Sequence, residues 1–385
     1  MKTLVVVGAG PMGLEAALGA LERGFDVTVL EKGRVGENLR RYGATRLFSP
    51  FAMNVSARAR ALLRPSGPAP DELLTGDEMA TRVLEPLARS PVLSGRIRTG
   101  HAVTAIGRAR MTRRDLPGHP LRGERPFRIL ADTPRGEEVL EADAVLDASG
   151  VYDRPAAVGV GGIPARGERA LDGALIQRLD ALQAALPGLA GKDVLLVGHG
   201  HSAAGALASI AARADPPRVL WATRSPNRRP CVEVAGDPLP ERARVTAHAN
   251  DLASDPPGFL TVERRAGVEG FAPREGRVEV TLSGGRGGTF DAVLGFTGYR
   301  PDLSFLSELA LDVSPASEGA AGIARALAGV TDCLSVPKVS AADLASGEPA
   351  FHLVGAKSYG RLPTFLLRDG IDQLETILDR LAAPA

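Results

Sequence analysis

The chain has 385 residues, 44% of them apolar, with a formal net charge of +1; that length holds two or three domains, and the near-zero charge excludes the electrostatic footing of a nucleic-acid or acidic-membrane partner. The two cysteines, Cys231 and Cys333, lie far apart with no C-x-x-C or zinc spacing, so no disulfide framework is expected and a reducing cytoplasm is the default compartment. No run reaches the roughly 18 apolar residues a spanning helix needs, and the apolar opening is broken by glycines and followed by Glu15 and Glu22, so a soluble protein is expected.

The first predicted element is a buried strand, Leu4 to Val7, which stops at a glycine cluster and passes into an Ala-rich amphipathic helix over Leu14 to Arg23. Gly8, Gly10 and Gly13 have the G-x-G-x-x-G spacing. In that pattern the first glycine permits the turn, the second lets backbone approach a pyrophosphate, and the third lets helix pack on strand. The helix start then offers free N–H groups to phosphates. A second strand, Asp26 to Leu30, ends on Glu31, the acid that such a site uses to bind ribose. A purely structural glycine turn is the alternative.

A basic stretch, Arg34 to Arg46, leads into Leu47 to Val55, whose aromatics, proline and asparagine read as an irregular loop. Asp77 to Ala88 reads as a helix capped by Thr75. Short strands follow at Ala102–Ile106, then Phe127–Leu130 and Glu138–Leu140 as a hairpin, then Ala144 into the small residues Ala148, Ser149 and Gly150. Residues 151–170 are rich in Gly and Pro and look like a crossing between domains.

The opening pattern then repeats. Lys192 to Ala203 is again strand, glycine turn and helix, with Gly198, Gly200, His201 and Ser202 in the turn and Ala203 in place of the third glycine. The next strand, Val219 to Thr223, is read as closing on Arg224 rather than an acid, with Arg228 and Arg229 beyond. An arginine there suits a 2′-phosphate where an acid suits a free 2′-hydroxyl. The residues therefore read as FAD in the first site and NADPH in the second; a solvated surface charge is the other reading of Arg224. Strands at Val278–Leu282 and Asp291–Phe296 close the second unit, and Gly298 echoes Gly150. Phe351 to Arg361 is an apolar strand into a polar glycine turn containing Gly355, Lys357, Ser358 and Tyr359, and a final helix is expected over Pro363 to Leu381.

Two such motifs, two Ala/Thr-Ser/Thr-Gly turns and a C-terminal glycine turn with its helix resemble the two-dinucleotide-binding flavoproteins, over nearly the whole chain. That group includes flavin-containing and Baeyer–Villiger monooxygenases, N-hydroxylases and thioredoxin-reductase-like enzymes. Gly198-His-Gly-His-Ser-Ala203 looks most like the monooxygenase form of the NADPH loop, and Arg46-Leu-Phe-Ser-Pro50 with Lys357-Ser-Tyr-Gly-Arg361 resembles a bacterial FAD/NADPH branch. The resemblance implies an α/β fold of two Rossmann-like three-layer domains, the NADPH domain inserted into the FAD domain. Residues 1–152 and 296–385 would be the FAD domain and 153–295 the NADPH domain. It implies FAD on Gly8, Gly10, Pro11, Met12, Gly13, Glu31 and Lys32, with the Val103 backbone at the adenine. Arg46, Phe48, Ser49, Ala148, Ser149, Gly150, Gly355, Ser358 and Tyr359 would lie near it. NADPH would meet Gly198, Gly200, His201, Ser202, Ala203, Arg224 and Gly298. Two departures stand out. Leu171 to Leu186 lacks the Phe-x-Gly…His pattern of the flavin-containing and Baeyer–Villiger enzymes, and Met12 stands where bacillithiol disulfide reductases have a cysteine.

The function expected is an FAD-dependent, NADPH-consuming oxidoreductase, a monooxygenase oxygenating a small molecule through a flavin peroxide, with oxygen as co-substrate. The rivals are a reductase passing electrons to a quinone, disulfide or metal species, and a nucleotide sensor without turnover. Asn54 is read either as a hydrogen-bond donor to the flavin peroxide or as the cap of Val55–Leu63. Lys357 is read either beside the flavin pyrimidine ring or as a surface lysine. Phe48 and Phe51 are expected to keep water from the flavin face. His199 and His201 read as loop residues, since no ligand spacing supports a metal, and His352 as a satisfied buried histidine.

Overall fold

A computed structural model describes residues 1–171 and 173–383. Asp172 and the last two residues, inside the expected stretches 153–295 and 296–385, lie outside the described residues. The chain divides into two compact units: Met1–Arg40, Ser49–Arg154 and Arg300–Ala385 form the first, and Arg41–Phe48 with Pro155–Tyr299 the second.

The first unit opens with β1 (Thr3–Val7), α1 (Pro11–Glu22), β2 (Asp26–Glu31) and β3 (Ile97–Thr99). It continues through β4 (Ala102–Arg108), β5 (Phe127–Thr133), β6 (Gly136–Ala142) and β7 (Ala144–Asp147). The second unit carries β8 (Leu175–Ile176), β9 (Asp193–Val197), α2 (His201–Ala211), β10 (Arg218–Thr223), α3 (Pro240–Ser254) and β11 (Leu260–Arg264). It ends with β12 (Val268–Arg274), β13 (Arg277–Leu282), β14 (Gly287–Phe290) and β15 (Ala292–Gly295). The chain then returns to the first unit for β16 (Phe351–Leu353) and α4 (Leu367–Ala382).

Each unit is built on a five-stranded parallel sheet, ordered β16-β7-β1-β2-β3 in the first and β11-β10-β9-β15-β8 in the second. The central strand pairs on both sides. Val7 stands beside Leu30 and Asp147, and Val197 beside Ala222 and Gly295. Strands covered on both faces must be apolar throughout, which is why Leu4–Val7 and Val194–Val197 are unbroken hydrophobic runs with exposures of 6% or less. In each sheet the chain moves outward on one side of the central strand and later returns on the other. The reversal falls between β1 and β7 in one unit and between β9 and β15 in the other, where ligands of open α/β sheets bind. A three-stranded antiparallel sheet accompanies each, β4-β5-β6 and β12-β13-β14.

Helix α1 buries Leu14, Ala17 and Leu18 and packs on α4, so closely that a β-carbon on Gly19 would come within 2.7 Å of Leu378 Cδ1. The helix expected over 77–88 runs from Gly76 to Arg89, but widens to a π-helical stretch over Met79–Leu84. Pro86 follows that stretch and has no N–H to return to Arg82. Thr75 caps the start, accepting from Glu78 N at 3.1 Å while Glu78 accepts from Thr75 N at 2.8 Å.

Two expectations need correction. The stretch 47–55 is not irregular throughout, because Phe51–Asn54 forms one helical turn that Pro50 enters in extended conformation. The final helix starts at Leu367, not Pro363. Phe365 instead turns inward, its ring 5.2 Å from that of Tyr359, which holds 363–366 out of the helix. His352 is buried as expected, its Nδ1 donating to the Leu344 carbonyl at 2.8 Å.

Candidate functional site

At the end of β1 the backbone turns sharply, with Gly8 at φ +98°, and the Gly8 N–H donates to Leu30 O at 2.7 Å. A β-carbon on Gly8 would lie 2.9 Å from the Ala148 carbonyl oxygen, and one on Gly13 would overlap the Gly8 carbonyl. The first contact holds the turn against the end of β7; the second lets α1 start directly over β1. Gly10 is different: nothing lies within 4 Å of its missing β-carbon. Gly10 is also the N-cap of α1, with no side-chain cap, and Pro11 occupies the first helical position. The helix start thus offers backbone donors to open space.

Glu31 closes this arrangement. Its carboxylate is buried, Oε2 accepting from Ala9 N at 2.7 Å and Oε1 from Gly33 N at 2.7 Å. Two of the roughly four acceptor positions of a carboxylate are used, which leaves capacity for a ribose diol. Beyond the carboxyl end of β2 and along β3 runs a cavity of about 820 Å³, lined among others by Lys32, Gly33, Ile97, Thr99 and Gly100. No sequence signal singled out Thr99 or Gly100. Lys32 pairs with Asp153 at 2.8 Å. Val103 lies where the β4–β5 register shifts, between Val103 and Ala105. Gly150 follows Ala148 and Ser149 at φ +73° with open space beside it. These residues fit a dinucleotide with an adenosine ribose.

The second unit repeats the turn. Gly198 has φ +118°, its N–H donates to Ala222 O at 3.2 Å, and a β-carbon there would overlap the Phe296 carbonyl. Gly200 caps α2 without a side-chain bond and has open space beside it, as does Gly298 at φ +97°. Ala203 is fully buried in the position of the third glycine, and Ser202, one residue earlier, is only half-buried. The equivalent hydrogen bonds from Gly8 and Gly198 align Leu30 with Ala222, and therefore Glu31 with Thr223 and Lys32 with Arg224. This corrects the reading that Arg224 takes the place of Glu31: that place belongs to Thr223, which the sequence marks as the end of the strand but not as a site residue. Counting from the first glycine could not have found it, since the spacing of the first unit lands on Trp221. Thr223 Oγ1 accepts from Ser225 N at 3.1 Å.

Arg224 is exposed and makes no hydrogen bond or ion pair among the described residues. Its neighbours are engaged, Arg228 with Ser254 O and Arg229 with Glu233 and Asp251. Burial pushes the His199 imidazole down, and the nearby Arg224 charge adds to this. His201 stays exposed, yet the protein packed around it and the Arg242 charge push its imidazole down, against the opposite pull of Asp237. No group of three or more potential metal ligands is found among the described residues.

The remaining candidates are placed by the units they belong to and the partners they find. Arg46 and Phe48 belong to the second unit, where the Phe48 ring meets that of His201 edge-on at 5.2 Å. Phe51 is 3% exposed and belongs to the core of the first unit. Asn54 caps nothing; Ser56 caps the following helix, accepting from Ala59 N. Asn54 is instead buried and tied to its own loop: Ser49 Oγ donates to Oδ1 at 2.6 Å and Nδ2 donates to Ser49 O at 2.9 Å. Met12 is packed against Gly355 and Gly370. Ser358 Oγ donates to Gly355 O, and the buried Tyr359 hydroxyl accepts from Gln373 Nε2 at 2.8 Å, with burial pushing its phenol up to about 12.

Lys357 is not a surface lysine. Its side chain and that of Asp147 are both fully buried, Nζ lying 2.7 Å from Oδ2. The ammonium directs its hydrogen bond to Ser149 Oγ at 2.8 Å, so the Asp147 contact is an ion pair rather than an aligned hydrogen bond. Nζ also stands 4.3 Å above the Phe305 ring. Asp147 Oδ1 accepts from Ser149 N at 3.0 Å. Asp147 and Lys357 thus lock the turn after β7 to the turn after β16.

Residues 5–81 match the family described as pyridine nucleotide-disulphide oxidoreductase. No curated protein sequence matches the chain. Among solved structures it is similar to the bacillithiol disulfide reductase of Bacillus cereus, at 17% identity and a TM-score of 0.72, covering 99% of this chain and 98% of that one. It is also similar to a double mutant of the flavin monooxygenase from Stenotrophomonas maltophilia, at 19% identity and a TM-score of 0.64, covering 99% of each. A third is the ornithine N-hydroxylase of Kutzneria with reduced FAD, NADP⁺ and L-ornithine, at 15% identity and a TM-score of 0.64, covering 100% of each.

The ion pair gives a direct test. Lys357→Met should lower unfolding stability by about 3–5 kcal/mol, because it leaves Asp147 charged and buried alone. Adding Asp147→Asn should recover most of that loss in chemical denaturation; a single variant within about 1 kcal/mol of wild type would contradict burial of the pair. In its two sheets and paired glycine turns, the chain has the fold of the flavoproteins with two dinucleotide-binding domains.

Proposed function

We propose that the chain is an FAD-dependent, NADPH-consuming oxidoreductase, and within that class a monooxygenase acting on a small molecule. The observation that carries the cofactor assignment is the difference between two otherwise equivalent turns. One ends on the buried acid Glu31; the other ends on Thr223 followed by the unengaged Arg224. An acid accepts from ribose hydroxyls and repels a 2′-phosphate, whereas a neutral threonine with a free guanidinium beside it suits that phosphate.

The first unit would hold FAD through the backbone at Gly8–Gly13, Glu31 and the turns carrying Ser149 and Gly355. When bound, FAD supplies acceptance of a hydride from NADPH and onward transfer of electrons to an acceptor. The chain's own part is to bind, orient and shield. Lys357 and Asp147 keep the Ser149 turn in place, and Asn54 fixes Ser49. Both are positioning roles.

What supports oxygen as the acceptor is the thiol chemistry of the chain. Cys231 is buried and its thiol is pushed up to about 11, chiefly by burial, so almost no thiolate is present at neutral pH. Met12 stands in the first glycine turn, and Cys333 has no second cysteine nearby in sequence. A dithiol relay to a disulfide substrate therefore has no residues to run through.

Two measurements test this. Arg224→Ala should lose roughly 1.5–3 kcal/mol of charge-assisted contact, a tenfold to hundredfold loss in kcat/KM for NADPH with NADH nearly unchanged. Equal losses would make Arg224 structural. For the reaction class, the NADPH-reduced protein is mixed rapidly with oxygen at saturating NADP⁺ while the flavin spectrum is followed. Reoxidation in two phases through a transient species is expected of a monooxygenase; reoxidation in one phase would favour the reductase instead.

A further inference from the structure

The two glycine turns differ by one hydrogen bond. In the first unit the Glu31 carboxylate accepts from two backbone N–H groups at 2.7 Å, Oε1 from Gly33 two residues on and Oε2 from Ala9 in the turn. In the second unit Thr223 keeps the first of these bonds, its Oγ1 accepting from Ser225 N two residues on at 3.1 Å. The second bond is gone, because a single hydroxyl oxygen serving Ser225 does not span to the turn as a two-oxygen carboxylate does. His199 follows Gly198 as Ala9 follows Gly8, and its N–H has no acceptor among the described residues. Its carbonyl is also unspent among them, whereas Ala9 O accepts from Gly36 N at 3.0 Å. Ala9 is fully buried, and His199 is partly exposed.

The charge around this unspent donor is positive. Arg224 follows Thr223, is exposed, and is held by no carboxylate among the described residues. From the end of β10 it is the one charged group that acts on the His199 imidazole; burial and that charge together hold the imidazole below its usual range. The neighbouring His201, at the start of α2, meets the Phe48 ring and responds to Arg242 and Asp237 instead. An unspent N–H, a free guanidinium and an imidazole that feels it thus receive an anion in the place where the first unit has its own carboxylate. An anion there also favours the protonated imidazole, since a nearby negative charge stabilises the cation.

We propose that His199 is a specificity-determining residue for NADPH: its main-chain N–H and its protonated imidazole receive the 2′-phosphate together with Arg224, so that the His199 contribution to NADPH preference grows as pH falls. This rests on the reading of the second unit as the NADPH site. The imidazole contributes fully below the pH at which it titrates in the free protein, and the contribution is lost as pH rises through its higher titration in the complex. The purified protein is titrated calorimetrically with adenosine 2′,5′-bisphosphate and adenosine 5′-monophosphate, whose affinity ratio isolates the 2′-phosphate. His199→Gln keeps the N–H. It should lower that ratio about tenfold near pH 6, the size of one charge-assisted hydrogen bond, and about twofold or less near pH 9. His199→Lys stays charged at both values and should raise the ratio about tenfold above wild type near pH 9. A bisphosphate that binds wild type no better than the monophosphate at either pH would overturn the NADPH reading and this proposal with it. If the bisphosphate is preferred, the NADPH reading stands. The role of the imidazole is then overturned by a His199→Gln loss that is absent or equal at both pH values, or by a His199→Lys ratio no higher than wild type near pH 9.

Discussion

A β-carbon on Gly13 would overlap the carbonyl of Gly8, and one on Gly198 would overlap the carbonyl of Phe296. This close approach of backbone to backbone is the constraint on which both sites depend. In the first unit it sets α1 directly over the end of β1, and Gly8 fits only with φ +98° against Ala148. In the second, the contact of the first glycine is kept, Gly198 lying against the residue after β15 as Gly8 lies against the residue after β7, and Ala203 is accommodated where Gly13 stands. The two units share the contact of the first glycine and differ at the third position, and each leaves its middle glycine, Gly10 or Gly200, beside open space.

The glycine turns and the elements they join were legible in the sequence. Unbroken apolar runs, glycines at fixed offsets and an acid after the second strand are local signals, and a strand–turn–helix unit is local enough to be read from them. The duplication was readable for the same reason. Features made by distant residues were not. Asp147 and Lys357 are separated in sequence by the stretch Pro155–Tyr299 of the second unit, and nothing near Lys357 distinguishes a buried ammonium from an exposed one. Glu348, held by both Arg108 and Arg122 in a fully buried cluster, is another such case. The role of Thr223 was missed because the segment between α2 and β10 differs in length from its counterpart, and the strand register with the hydrogen bond from Gly198 shows that Thr223 is the equivalent of Glu31.

Residue type also misled where context reversed its usual meaning. Phe51 and Phe48, two aromatics a few residues apart, belong to different units. Asn54 had a plausible role at a helix start, but Ser56 holds that position and Asn54 turns back on Ser49. Phe48 meets His201 across the chain, whereas Asn54 turns back on its own loop.

The second site and any electron acceptor have meaning only if the first glycine turn and Glu31 hold a flavin dinucleotide. Releasing the flavin from the purified protein by denaturation and identifying it by chromatography tests this most directly. The predicted result is FAD, with its adenosine ribose, in one-to-one ratio with the chain. Finding FMN, or no retained flavin after reconstitution with FAD, would contradict it.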